Sequence, residues 1–69
     1  MNEADKLKVL LEHWIEHNSA HQGEFETWAG RASEAGMTET ATEISAASKC
    51  LSQASERLQN ALAGVRPEA

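Results

Sequence analysis

The stretch Leu7-Lys8-Val9-Leu10-Leu11-Glu12-His13-Trp14-Ile15-Glu16-His17-Asn18-Ser19-Ala20-His21-Gln22-Gly23-Glu24-Phe25-Glu26-Thr27-Trp28 decides the fold. Within it Leu7, Leu11, Trp14, Asn18, His21, Phe25 and Trp28 recur at alternating gaps of four and three, and Ala32 and Ala35 extend the row. That period belongs to an α-helix near heptad spacing, whereas a strand would alternate at every second residue. Leu10, His17 and Glu24 flank the row one helical step away. Gly23 and Gly30 each cost about 1 kcal/mol relative to alanine in a helix. The register nevertheless passes through both without a slip. The spacing therefore predicts one continuous helix, with Gly23 the place where it would kink.

Gly36, directly after Ala35, suits the left-handed residue that ends a helix. Thr38 or Thr40 is then expected to cap a second helix, with Glu39 and Glu43 near its first turn, where the helix dipole favours negative charge. Met37 is placed to staple its start against an apolar residue one turn in. The second row runs Ile44, Ala47, Leu51, Ala54, Leu58, Ala61 and Val65, flanked by Cys50 and Leu62, and Gly64 and Pro67 close it. The expected architecture is all-α: a single domain over residues 1–69, with a helix over 3–35, a turn over 36–38 and a helix over 39–65. At 1.5 Å per residue each helix is about 45 Å long, and the short turn makes them antiparallel.

Bulky Trp14, Phe25 and Trp28 are expected to face the alternating alanines of the second helix, a large-against-small pairing that allows close approach. Two stripes do not enclose a core, however. Leu7, Leu10, Leu11, Trp14 and Ile15, widened by Leu62 and Val65, form a patch broader than one facing helix covers. A homodimer of hairpins, giving a four-helix bundle, is the expected way to cover it.

Composition narrows the function classes. The 69 residues carry eleven acidic and six basic side chains, a formal net charge of −5. That balance repels phosphate backbones and argues against nucleic-acid binding. The scattered Lys and Arg residues argue against an anionic membrane surface, and no apolar run is long enough to span a bilayer. The single Cys50 excludes an internal disulfide framework and suits a reducing compartment. The opening Met-Asn-Glu-Ala-Asp-Lys lacks the pattern of a secretory signal, so a cytoplasmic location is expected.

All three histidines lie at fourfold spacing, His13, His17 and His21, which stacks them along one helix face. His17 and His21, one turn apart, form a pair able to share one metal ion. Glu24, three residues beyond His21, is a candidate carboxylate ligand or hydrogen-bond acceptor behind an imidazole. With the turn near Gly36 and Met37, facing residues have numbers summing to about seventy-three. That arithmetic sets Glu56 across from His17 and Cys50 near the level of His21 to Glu24. Such a set suits zinc, nickel, cobalt or iron better than calcium or magnesium, with copper also compatible. His13 and His21 are about 12 Å apart along a straight helix, so one ion takes only one adjacent pair. In a dimer with these segments face to face, two pairs would build one site. Opposed histidines would also hold a haem, although nothing else in the chain supports one.

Enzyme chemistry lacks its parts. Trp14 follows His13 and Asn18 follows His17, where a zinc-protease helix has a glutamate. Leu10, Trp14 and Asn18 stand three residues before the histidines, so the Glu-x-x-His pairs of di-iron bundles are missing too. There is no glycine-rich phosphate loop. No catalytic role is expected.

The segment His13-Trp14-Ile15-Glu16-His17-Asn18, with His21 four residues beyond His17, resembles a small prokaryotic family of uncharacterised helical domains. The likeness covers the first helix well and the alanine-rich second helix by character only. It implies helical architecture and no assigned activity, and Gly23 departs from the alanine or acidic residue the family pattern has there. Two readings remain open. In one, a histidine stripe binds a transition metal for carriage, sensing or storage. In the other, the chain is a structural or adaptor module, a bundle homodimer or a hairpin docked on a larger complex. There Asn18 and the histidines fix register or act as a pH switch.

Overall fold

The computed structural model describes residues 2–66. Two helices, α1 (Glu3–Glu34) and α2 (Thr38–Ala63), pack side by side as an antiparallel hairpin whose Cα trace measures 57 × 15 × 11 Å. Asn2 caps α1, its side-chain oxygen accepting from the Asp5 amide at 2.9 Å. Glu3 and Asp5 in the first turn and Arg31 in the last complement the helix dipole. The helix runs through Gly23 and Gly30 unbroken, as the continuous register requires.

Gly36 has φ of +81°, and the turn is a Schellman motif. The Met37 amide donates to the Ala32 carbonyl at 2.9 Å, and the Gly36 amide to the Ser33 carbonyl at 3.0 Å. Space alone would admit a methyl group at Gly36, since nothing lies within 4 Å of it, so any cost there comes from the backbone angle. Gly36→Ala is expected to lose about 1 kcal/mol, read as a lower urea midpoint with unchanged slope. A neutral or stabilising substitution would show that this turn is not held in the left-handed conformation.

The start of α2 differs from expectation. Met37, not a threonine, occupies the N-cap position and makes no side-chain capping bond. Thr38 is already helical, and the Thr42 hydroxyl donates back to its carbonyl at 3.0 Å. Met37 is 53% exposed and does not staple the turn. Gly64 ends α2 in a right-handed conformation. Pro67, the other expected terminator, lies outside the described residues.

The larger correction concerns which stripe faces which. On α1 the residues turned toward α2 follow Ala4, Leu11, Ile15, Asn18, Gln22, Phe25, Ala29 and Ala32, all buried or half-buried. In heptad terms these are a and d positions. The expected row shares the d positions Leu11, Asn18, Phe25 and Ala32. Its other members, Leu7, Trp14, His21, Trp28 and Ala35, fall one step aside at g. Trp14 is 41% and Trp28 56% exposed, so neither is core in the hairpin. On α2 the facing row is Ala41, Ile44, Ser48, Leu51, Ser55, Leu58, Leu62 and Val65, again a and d. Ala47, Ala54 and Ala61 lie beside it at g, the last two exposed.

Antiparallel pairing sets the g flank of α1 against the g flank of α2, and likewise e against e. The e flank is polar: Glu12, Ser19 and Glu26 on α1, Ser45, Ser52 and Gln59 on α2. Open grooves run along it. The g flank is broadly apolar, carrying Leu7, Trp14 and Trp28 beside Ala47, Ala54 and Ala61. The seam itself is thin. Its buried apolar side chains are Leu11, Ala29 and Ala41, and no described side chain is completely enclosed.

Candidate functional site

The histidine stripe forms on the outer side of α1, where the four-residue period of an unbroken helix stacks rings on successive turns. His17 Nε2 and His21 Nε2 stand 2.9 Å apart. The two rings meet edge to face with centroids 4.4 Å apart. Two nitrogens bound to one zinc at about 2.0–2.1 Å in a tetrahedron lie about 3.3 Å apart, and adjacent ligands of an octahedral ion about 3 Å apart. The pair therefore already stands close to the spacing of two ligands on one ion. Without metal the same contact is a hydrogen bond, one Nε2–H donating to the other ring's bare Nε2.

Glu24 lies behind His21, its Oε2 4.0 Å from His21 Nδ1. That is too long for a direct hydrogen bond and close enough for a small side-chain rotation to make one. A carboxylate in that place fixes the imidazole with Nε2 free for coordination. His21 is half-buried while His17 and Glu24 are exposed, so the pair is open to solvent. His13 stacks on His17 with centroids 5.9 Å apart and planes 26° apart, outside the converging pair. Phe25 continues the run, its ring 6.1 Å from that of His21.

The other candidates sit elsewhere. Glu56 lies at the expected height but on the opposite flank, lining a groove with Ile15, Ser19, Gln22, Ser52 and Gln59. The axial arithmetic holds and the azimuth does not. Cys50 is a free, exposed thiol on α2 at position c, across the g flank from the imidazoles. Among the described residues no group of three or more His, Cys, Asp or Glu side chains converges tightly enough to hold a metal ion. One hairpin thus presents two facing ligands.

A polar link in the seam went unread in the sequence. Ser48, only 4% exposed, donates to Glu26 Oε1 at 3.3 Å, tying the e flank of α1 to α2. Its signal is a serine in the row Ala41, Ile44, Ser48 and Leu51, one helical step from the row that hydrophobicity favours. Arg31 stacks over the Trp28 ring at 4.4 Å from its centroid, screening part of an exposed indole. No described helix is long and apolar enough to cross a membrane.

No curated protein and no solved structure matches the chain. A family defined only as Domain of unknown function (DUF8180) matches residues 7–65, which include both helix faces and all three histidines. The chain, a two-helix hairpin with a paired-imidazole stripe on its outer face, belongs to that family.

Proposed function

We propose that this hairpin binds a transition-metal ion through His17 and His21, in a non-catalytic role of carriage, sensing or storage. The observation that carries the reading is the 2.9 Å approach of the two Nε2 atoms, with the Glu24 carboxylate behind the more buried ring. Imidazole nitrogen suits zinc, nickel, cobalt and iron, and the absence of a carboxylate cage disfavours calcium and magnesium. Two protein ligands leave most of the coordination sphere to solvent or to another chain. An ion held that way exchanges readily, which fits carriage or sensing better than a fixed structural role.

Isothermal titration with zinc, nickel and cobalt tests the reading. His17→Ala/His21→Ala is expected to weaken binding at least 100-fold, while His13→Ala weakens it less than threefold. Glu24→Gln is expected to cost about tenfold, the lower end of the usual effect for a partner that orients a metal-bound histidine. Unchanged affinity in the double variant removes the proposal.

The second reading, an adaptor that docks through α1, draws on a separate observation. Leu7, Val9, Leu10, Trp14 and Trp28 all stand more than two-fifths exposed on that helix. Exposed indoles and leucines are what a protein contact uses.

A further inference from the structure

The g flank of the hairpin is nearly palindromic. On α1, Trp14 and Trp28 each stand seven residues from His21; on α2, Ala47 and Ala61 each stand seven from Ala54. His21 and Ala54 also lie at nearly the same height along the hairpin. The Glu26–Ser48 bond sets facing residues at numbers summing to 74, which puts His21 within one residue of Ala54. A two-fold axis perpendicular to the helices at that height maps the face onto itself. It exchanges Trp14 with Trp28, Ala47 with Ala61, and leaves His21 at the centre.

We infer that a second copy of this chain docks antiparallel on the g flank about that axis, and that the two His17–His21 pairs close one four-imidazole metal site across it. The inference rests on the metal reading above and adds the partner, the register and the stoichiometry. Under this operation Trp14 meets the partner's Trp28, and His17 comes beside the partner's Glu24, so each imidazole pair gains a carboxylate from the opposite chain. Four nitrogens satisfy a tetrahedral ion that one hairpin leaves half bound.

Area and shape favour a copy of the chain over a different protein. From Leu7 to Trp28 the face is about 30 Å long, and two helices make it about 20 Å wide. That is roughly 600 Å² per copy and about 1,200 Å² in all, at the threshold of specific dimers. The hairpin alone encloses none of the described side chains fully, a core of the size that small domains supplement by oligomerisation. A metal at the centre of a threshold interface supplies what the area does not. The e flank, lined by Glu12, Glu26 and serines, offers a second copy no comparable surface.

Two measurements test this. Sedimentation equilibrium of the unaltered chain with graded zinc is expected to give a dimer holding one zinc per two chains, with a dimer dissociation constant at least tenfold lower than without metal. In a Cys50→Ser background, equimolar Trp14→Cys and Trp28→Cys chains are expected to oxidise mainly to the mixed 14–28 disulfide. A zinc-bound monomer at one ion per chain overturns the inference and leaves the proposed function standing. Predominant 14–14 and 28–28 disulfides overturn the dyad, again without touching metal binding. Loss of zinc binding altogether overturns both, and the titration of the unaltered chain identifies that case before any cysteine is introduced.

Discussion

Leu11→Ala is expected to lower the stability of the hairpin by about 3 kcal/mol, the range found for burying and then deleting a leucine side chain. Leu11 is 5% exposed and, among the described residues, is the one large aliphatic side chain that is buried. At about 0.05–0.15 kcal/mol per residue, a chain of this length has only about 3–10 kcal/mol to lose. The substitution should therefore shift the urea midpoint far toward zero or leave the chain largely unfolded. Val9, 56% exposed on the same helix, is the control, and Val9→Ala should change stability by no more than about 0.5 kcal/mol. Both variants are compared at one protein concentration, because self-association would make the midpoint concentration-dependent. Equal losses at Leu11 and Val9 would mean that the seam is not where the structure puts it.

Zinc is expected to stabilise the unaltered chain by about 2.7 kcal/mol when its free concentration is a hundred times the dissociation constant. For a domain of this size each kcal/mol moves the melting temperature by about 4–8 °C, so the expected rise is about 10–20 °C. The physical reason is linkage: the His17 and His21 Nε2 atoms stand 2.9 Å apart only while α1 is helical, so an ion held by that pair would bind the folded chain and not the open one. The rise should vanish in His17→Ala/His21→Ala and persist in His13→Ala. Thermal unfolding followed by far-ultraviolet circular dichroism, with and without a chelator, measures it. An identical rise in the double variant would place the ion elsewhere.

Much of the hairpin is legible in the residues themselves. The alternating gaps from Leu7 to Ala35 and from Ile44 to Val65 foretell two long helices, and Gly36 marks the reversal. The observed bounds, Glu3–Glu34 and Thr38–Ala63, match the expected start of the first helix and differ by one or two residues at the other three ends, within the ordinary fraying of helix ends. Capping was less legible. Asn2 caps α1, whereas the threonines near α2 lose the cap position to Met37, because the Schellman turn fixes where α2 begins. The candidate site was legible only in part. Fourfold spacing on one helix is a local property, so the approach of His17 to His21 and the nearness of Glu24 could be foreseen. Glu56 and Cys50 depend on the rotation of α2 about its own axis, which no spacing within α1 constrains.

The chain's own pattern settled what is local: helix, turn, antiparallel reversal, the imidazole stripe and the axial height of facing residues. Packing alone decided azimuth. Both candidate stripes of α1 share Leu11, Asn18, Phe25 and Ala32, and hydrophobicity by itself favours completing them with Leu7, Trp14 and Trp28. The hairpin completes them instead with Ala4, Ile15, Gln22 and Ala29. A turn of three residues holds the helices close, and near it only small side chains fit between two backbones. An indole is too large for that gap, so Trp28 turns outward; Trp14 stands on the same flank, and the hydrophobic face that carries both is left on the surface beside the histidines.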